Sequence, residues 1–321
     1  MKPPGYTLFV IDIIGAAFDL CGPWPGSRLG PEAIRLANLK TTLIDLGLQA
    51  ADQGDILGTE PATNPGGLRN FPPLLEILNK LRSAVATSLA NDHLPIVLGG
   101  EHTLAMGSVC AALEKFGDNL TVIWIDAHGD INTPGSSSSG NIHGMPLAAL
   151  AGMDSETDGQ VDSDWKKLQA SFAPAPWLKP ERVAWYGLRD VDGPESPRLT
   201  GLPITMHDID RRGIESTVKE IDHWLRKIDA GPVWISFDVD SLDPILAPGT
   251  GTAVRGGLSY REGHLFAELL HTHLSAPDCP YRLVGLDVVE VNPLRDTNNT
   301  TALMAVEWIG SLFGKTILGK R

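Results

Sequence analysis

Three apolar runs in this chain each end in side chains of the kind that bind metal ions, and this arrangement constrains the fold more than any other feature. The runs and the side chains that follow them are TVIWI with Asp126, His128 and Asp130, PIVL with His102, and VWISF with Asp238 and Asp240. Side chains of a strand alternate between its two faces, so polar groups spaced two residues apart at a strand end can converge on one spot. In open α/β sheets, ligands bind beyond the carboxyl ends of the strands. The runs therefore predict strands of such a sheet that carry a metal site at their carboxyl ends.

The segment DAHGD by itself has two interpretations, a metal site or an Asp-rich surface turn that happens to contain a His. The other two runs favour the metal site, because surface acids would be scattered rather than collected after strand-like segments. The candidate ligands include four carboxylates, whose charge balances two divalent ions better than one. We therefore predict a two-metal site with bridging aspartates, in which ions about 3.5–4 Å apart activate a shared water. Carboxylates with two imidazoles suit manganese best among the common metals.

Strand-like and helical patterns alternate along the chain without a composition break, a repeat or a long linker. Predicted strands cover residues 6–14, 42–44, 96–98, 121–125, 182–186, 204–206, 233–238 and 283–289. Predicted helices cover residues 32–39, 74–89, 103–116, 143–150, 214–228, 260–274 and 300–312, and the polar segment 154–177 carries one short helix. This alternation is typical of a single α/β domain, here residues 1–321, with a mostly parallel sheet flanked by helices on both faces.

Charge and composition exclude several classes of function. With 321 residues and 42% hydrophobic content, the chain can form a large core and is not expected to be disordered. A net charge of −13 argues against binding to nucleic acid or to an acidic membrane, and it suits a cationic substrate or metal ions. No apolar run approaches the roughly 20 residues of a membrane span, and the N-terminus lacks the order of a signal peptide. Three distant cysteines indicate a reducing compartment, so we expect a cytoplasmic protein.

Five groups of residues carry a resemblance to the arginase branch of the ureohydrolase superfamily. They are GGEHT, DAHGDINTP with SSSGNIHGMPLA, GLRDVD, SFDVDSLDP with GTGTAVRGGLSYRE, and DVVEVNP, and the resemblance runs from about residue 7 to residue 313. It implies an arginase-type α/β fold, two Mn²⁺ ions per subunit, and hydrolysis of the guanidino group of L-arginine to L-ornithine and urea by a metal-bridging hydroxide. It also implies a homo-oligomer, either a trimer or a hexamer.

The resemblance implies metal-binding and catalytic roles for individual residues. The six metal ligands of the family match His102, Asp126, His128, Asp130, Asp238 and Asp240. His143 matches the active-site His that shuttles a proton, and Glu290 matches the acid that holds the guanidinium. These roles agree with the chemistry of the reaction. The guanidinium carbon is a poor electrophile and needs a strong nucleophile such as metal-bound hydroxide, and the nitrogen of one C–N bond must be protonated before the amine leaves. A His with a pKa near neutral can supply that proton, and we expect Asp130 to accept a hydrogen bond from the hydroxide as well.

Substrate recognition follows from the same resemblance. Asn132 and Ser139 match positions that read the α-carboxylate of arginine, and Asp192 matches the acid near the α-amino group. The positions of Asp190, Glu195 and Thr252 line the same pocket of the family. Agmatine has no α-carboxylate for Asn132 and Ser139 to hold, so these residues favour arginine over the alternatives, which are an agmatinase and a guanidinobutyrase. A non-catalytic, metal-bound relative is a further alternative, which the complete set of ligands and catalytic residues opposes.

The chain departs from the family pattern in three places. Glu101 stands where Asp is more usual, and its extra methylene is expected to shift the neighbouring His102. The serine run 136–139 has the composition of a flexible linker, and only Ser139 receives a role. Residues 154–180 match the family poorly and are expected to be a surface elaboration.

Overall fold

Eight parallel strands form the centre of the fold in residues 10–316, which the computed structural model describes. The strands are β1 Val10–Ala17, β2 Gln49–Leu57, β3 Leu94–Gly99, β4 Thr121–Ile125, β5 Val183–Leu188, β6 Leu202–Thr205, β7 Pro232–Asp238 and β8 Arg282–Val289. Their order across the sheet is β2-β1-β3-β8-β7-β4-β5-β6, and each pairing is parallel. The carboxyl ends of all strands therefore lie along one edge of the sheet, with those of β3, β8, β7 and β4 side by side at its centre.

The alternation of side chains along the strands divides the core into two layers, as β4 shows. Ile123 and Ile125 belong to one cluster of buried apolar residues, whereas Val122 and Trp124 belong to a second cluster. The first layer is covered by helices α1 Gly30–Leu36, α2 Leu39–Asp45, α7 Met206–Arg212, α8 Ile214–Lys227, α9 Tyr260–Leu274 and α10 Thr300–Leu312. The second is covered by helices α3 Phe71–Ala90, α4 Ala105–Phe116, α5 Pro146–Leu150 and α6 Gly159–Ala170. The predicted α/β fold is confirmed.

One local prediction is wrong, and two elements of the structure were not predicted. The predicted strand at residues 42–44 is wrong, because these residues lie in α2, where Leu39 and Leu43 are buried one turn apart. Strand β2 gave no apolar signal, because it is a polar, largely exposed edge strand that forms by pairing with β1. Helix α7 was missed, although Thr205 and Asp208 form the capping box that begins it.

The other predicted strands and helices are confirmed, with ends that differ by a few residues. The first of them begins at residue 6, outside the described residues, and β1 confirms the described part. The short helix expected within residues 154–177 is α6, but the segment is more than a surface elaboration, because Trp165 and Leu168 are fully buried in the core. None of the helices in residues 10–316 combines the length and the apolar character needed to cross a membrane.

Candidate metal centre and active site

Four central strands deliver polar side chains to the carboxyl edge of the sheet. His102 follows the glycine pair at the end of β3, Asp126 follows β4 directly, and Glu290 follows β8. Asp238 is the last residue of β7 and pairs in register with Val289 of β8. The parallel pairing of neighbouring strands therefore brings residues that are far apart in sequence into one buried cluster, as the three apolar runs predicted.

The first group of potential ligands surrounds the His102 ring. Its Nδ1 atom lies 3.0 Å from Asp126 Oδ2, 3.0 Å from Asp130 Oδ2 and 3.2 Å from Asp238 Oδ2. All four side chains are buried, yet His102 Nδ1 forms no hydrogen bond in a suitable geometry. Buried polar atoms are normally hydrogen-bonded, and those that are not require an explanation such as an ion. A nitrogen that faces three carboxylate oxygens in this way fits a divalent cation.

A second group of potential ligands shares one aspartate with the first. His128 Nδ1 lies 3.3 Å from Asp126 Oδ1 and 3.1 Å from Asp240 Oδ2. Asp126 thus directs one carboxylate oxygen to each group, and the two groups are suited to hold one ion each. Carboxylate oxygens with imidazole nitrogens are donors that divalent cations such as Mn²⁺ and Zn²⁺ accept.

Surrounding side chains fix the orientation of the His102 ring. Its Nε2 atom lies 2.9 Å from Ser236 Oγ, which leaves Nδ1 facing the carboxylates. The ring stacks on Trp124 with centroids 4.0 Å apart and an angle of 5° between the planes. Trp124 Nε1 in turn donates a hydrogen bond of 3.0 Å to Asp126 Oδ2. Such second-layer contacts orient a ligand imidazole and set its tautomer.

Burial and mutual repulsion shift the proton affinities of the cluster. Burial, together with the charge of Asp126, raises the pKa of Asp130 to about 6. Burial and the neighbouring carboxylates also raise the pKa of Asp238 well above its ordinary value. Burial alone would lower the pKa of His102, but Asp126, Asp130 and Asp238 together raise it well above 6.5. Raised pKa values of this kind show that the cluster has excess negative charge and retains protons on its Asp and His side chains. Metal cations can replace these protons.

Thr252 and Arg189, which lie in loops beyond the strands, donate hydrogen bonds to Asp240. Thr252, one of the predicted pocket residues, donates a hydrogen bond of 3.0 Å from Oγ1 to Asp240 Oδ2. The Arg189 guanidinium donates to the backbone carbonyls of Asp240 at 2.5 Å and of Val254 at 2.8 Å. Arg189 thereby joins the two loops and places a positive charge beside the aspartates. Arg189 lies in the segment GLRDVD, but no role was predicted for it.

A His–Glu pair lies next to the cluster. His143 Nδ1 is 3.0 Å from Glu290 Oε1, which also accepts a hydrogen bond of 2.9 Å from the backbone N–H of His102. Burial alone would lower the pKa of His143, but the Glu290 carboxylate raises it to about 9. The second Glu290 oxygen, Oε2, lies on the side of Gly251. The pair is therefore an imidazolium held by a carboxylate, with a proton available at neutral pH.

A cleft of about 340 Å³ opens above these groups. Its wall contains the predicted residues His128, Asp130, Asn132, Ser139, His143, Asp190, Asp192, Glu195, Asp238 and Thr252. His102, Asp126, Asp240 and Glu290 are buried beneath this wall. The wall also contains residues that the sequence analysis missed, namely Pro23, Trp24, Ser137, Asn141, Gly144 and Gly251. Asn141 could have been predicted from the sequence, because it stands two residues before His143. Trp24 could not, because it is brought to the cleft by contacts between segments that are far apart in the sequence.

Hydrogen bonds connect several of the residues predicted to bind substrate. Asn132 Nδ2 donates a hydrogen bond of 3.0 Å to Asp192 Oδ2. Glu195 is buried and accepts hydrogen bonds from the backbone N–H groups of Ile131 at 3.0 Å and Asp192 at 2.9 Å. Asp190 is largely exposed at the cleft and lies 3.9 Å from His128 Nε2. Glu195 is thus a buried part of the wall, fixed by backbone hydrogen bonds, while Asp190 and Asp192 face the opening.

Glu101 faces away from the aspartate cluster. Its carboxylate accepts hydrogen bonds from the backbone N–H groups of Cys21 at 3.0 Å and Gly22 at 2.6 Å, and from Thr103 Oγ1 at 2.6 Å. The longer side chain therefore anchors the loop that carries Trp24. The expected shift of His102 is not found, because its Nδ1 atom still meets three aspartates.

A parallel α/β sheet with this buried His and Asp cluster at its carboxyl edge defines a metal-dependent hydrolase type of site. The Arginase family model matches residues 10–314, and the chain belongs to this family of ureohydrolase enzymes. An arginase of Staphylococcus aureus (strain COL) is 42% identical over 319 residues, 96% of this chain and 98% of that protein. An arginase of Bacillus subtilis (strain 168) is 40% identical over 96% of this chain and 99% of that protein. The structure of Bacillus caldovelox arginase matches with a TM-score of 0.85 and 36% identity, over 99% of this chain and all of that chain.

The His143–Glu290 pair predicts an unusual titration in the metal-free protein. We expect the His143 imidazole to titrate near pH 9, and Glu290→Gln to lower that pKa, because burial is then opposed only by the charges of Asp130 and Glu101. The folded-state pKa is raised, so the contribution of the pair to stability is complete below about pH 6.5 and is lost as the pH rises through about 9. NMR of the ring nitrogens measures the shift, and the exposed Glu32→Gln provides the control. An unchanged His143 pKa in Glu290→Gln would contradict this assignment.

Proposed function

We propose that this chain hydrolyses the guanidino group of L-arginine to L-ornithine and urea at a centre of two Mn²⁺ ions. The observation that carries the proposal is the pair of ligand groups joined by Asp126, beneath a cleft whose wall is rich in acids and amides. Four carboxylates cancel the charge of two divalent cations. The unbonded Nδ1 of His102, facing three aspartates, supports the same arrangement.

We assign the first ion to His102, Asp126, Asp130 and Asp238 and the second ion to His128, Asp126, Asp238 and Asp240. The carboxylate-rich donor set is the chemical reason for preferring manganese. When bound, the two ions lower the pKa of water toward about 7 and so supply a nucleophile at neutral pH. Asp130 lies between the cluster and the cleft, where its carboxylate can also orient that water by accepting a hydrogen bond.

The residues of the cleft would then act on the guanidinium group. Glu290 offers a planar carboxylate that matches a planar guanidinium, with Oε2 on the open side of the pair. His143 holds a proton at neutral pH, and its Nε2 atom, away from Glu290, is the atom that would protonate the leaving amine. A positioned acid of this kind contributes about 10²–10⁴-fold to a rate.

Recognition of the α-carboxylate would rely on neutral donors. Among the described residues of the cleft wall, none is Lys or Arg. The groups that remain for a carboxylate are the amides and hydroxyls of Asn132, Ser137, Ser139 and Asn141. Asp192, held by Asn132, would meet the α-amino group, and Asp190 would lie beside it. This distribution places neutral donors for the carboxylate beside acids for the α-amino group, apart from the acidic cluster at the guanidinium end.

We further propose that the chain acts as a homotrimer or hexamer in the cytoplasm. Ile245 is 89% and Leu294 is 67% exposed, and contacts between subunits commonly cover apolar side chains of this kind. The three cysteines are free thiols, which suits a reducing compartment. Light scattering tests the assembly, and a mass of one 34.4 kDa chain would contradict it.

Activity is expected to require both ions. Asp126→Asn and Asp238→Asn should each lose at least one ion per chain and nearly all urea release, because each removes a charged donor from the shared part of the cluster. Elemental analysis of the purified variants measures the metal content. Asp210→Asn, on the exposed face of α7, should keep both ions and full activity. A fully active wild-type protein that binds only one ion per chain would contradict the two-metal proposal.

Arginine is expected to exceed agmatine in kcat/KM by about 10² or more, because the polar groups that hold the α-carboxylate are left unpaired by agmatine, which lacks that carboxylate. Asp192→Asn should reduce kcat/KM for arginine much more than for guanidinobutyrate, which has no amino group. Urea release from arginine, agmatine and guanidinobutyrate with added manganese measures both effects, with Asp210→Asn as the matched control. If agmatine or guanidinobutyrate is turned over as fast as arginine, the substrate assignment is wrong, although the guanidino chemistry stands.

A further inference from the structure

The hydroxyl of Ser136 stands at the centre of a polar network behind the cleft. Ser136 Oγ accepts hydrogen bonds from the backbone N–H of Thr133 at 2.9 Å and from Arg198 Nη1 at 3.0 Å. It donates its own hydrogen to Asn132 Oδ1 at 2.8 Å. Ser136 is not part of the cleft wall, whereas Asn132 is. The Ser136 hydroxyl therefore contacts the cleft wall through the side chain of Asn132.

The chemistry of the donors sets the direction of each hydrogen bond. A guanidinium and a backbone N–H can only donate, so the Ser136 hydroxyl accepts from both. Its own hydrogen goes to Asn132 Oδ1 at 2.8 Å, because the other acceptor within reach, the Thr133 carbonyl, is farther away at 3.4 Å. The amide oxygen of Asn132 is thereby fixed on the Ser136 side. Its NH₂ group points the other way, with one hydrogen on Asp192 Oδ2 and a second available to the cleft. The amide is held in the orientation that offers donors to the substrate.

The segment 154–180, which fits the family pattern poorly, anchors the far side of this network. Glu156 Oε2 accepts hydrogen bonds from Arg198 Nη2 at 2.6 Å and from Thr133 Oγ1 at 2.5 Å. The carbonyl of Ser155 accepts a hydrogen bond of 2.8 Å from the backbone N–H of Gly135. A Cβ atom on Gly135 would lie 2.1 Å from the Glu156 carbonyl oxygen, so the two segments are in close contact. Arg198 is thus held between Glu156 and the serine run.

We propose that Arg198 and Ser136 are positioning residues that fix the Asn132 amide with its N–H groups toward the cleft, and that they thereby set the affinity for the α-carboxylate end of the substrate. The inference rests on the proposed function in its choice of substrate. It gives the serine run a specific role and opposes its interpretation as a flexible linker. It also makes Ser155 and Glu156 a part of substrate recognition, although they lie outside the cleft wall.

The serine run supplies matched variants for a kinetic test. Ser136→Ala removes the donor to Asn132 and is expected to raise KM for arginine about tenfold, the size of one net hydrogen bond, with kcat changed less than about twofold. Arg198→Met should have a similar effect. Ser136→Thr retains the hydroxyl and should restore the wild-type KM, and Ser138→Ala, at an exposed position in the same run, should change nothing. In Ser136→Ala and Arg198→Met, KM for agmatine, which lacks the α-carboxylate, should rise less than KM for arginine.

A crystal structure of the Ser136→Ala variant tests the inference independently of the substrate. We expect Asn132 to turn and its Nδ2–Asp192 contact to be lost, while the metal content and the thermal midpoint stay unchanged. An unchanged Asn132 in this structure, or equal effects of Ser136→Ala and Ser138→Ala on KM, would overturn the inference. If the wild-type protein prefers agmatine, the proposed function fails, and the orientation of Asn132 in the variant structure still decides the inference.

Discussion

Repulsion among four buried aspartates is the constraint on which the rest of this structure depends. Three of the four carboxylates, those of Asp126, Asp238 and Asp240, accept hydrogen bonds from their surroundings. Asp126 accepts from Trp124 Nε1 at 3.0 Å and from the backbone N–H of His128 at 2.7 Å, and Asp238 accepts from the backbone N–H of Asp240 at 2.7 Å. These neutral donors reduce the repulsion but cannot cancel four charges in a buried site. The cluster must therefore hold protons or cations, and the fold is arranged around that requirement.

The parallel sheet meets this requirement by bringing separate strand ends together, at the cost of backbone strain beside the site. Asp130 and Glu290 both have positive φ, 51° and 65°, which residues other than glycine rarely adopt. Hydrogen bonds hold both positions. The Asp130 carbonyl accepts from the N–H of Leu147 at 3.0 Å, and the Glu290 N–H donates to the carbonyl of Gly100 at 2.8 Å. Strained residues persist where the surroundings fix them in this way, and they are typically functional.

The sequence revealed the parts of the molecule that depend on local pattern. Apolar runs ending in Asp and His predicted the sheet, its ligand-bearing edge and the cluster around His102. Edge strand β2 could not be found, because it forms by pairing with β1 and has no apolar pattern of its own. The place of Trp24 in the cleft wall depends on the Glu101 carboxylate, which reaches across to the Cys21–Gly22 backbone. Contacts of this kind join segments distant in sequence, and no local pattern encodes them.

The two ends of the cleft are built by different parts of the fold, and this separation has a physical reason. The buried end consists of strand termini, which carry the charged ligand cluster. The outer end consists of loops, in which the neutral amides of Asn132 and Asn141 lie beside the acids Asp190 and Asp192. A Lys or Arg at the outer end would be attracted to the aspartates and would compete with the cationic guanidinium. Neutral donors avoid that competition, but they must be oriented to be effective, which is why a second layer of contacts such as the Ser136–Asn132 hydrogen bond lies behind them. Substrate preference can therefore change through the loops while the ligand cluster stays the same.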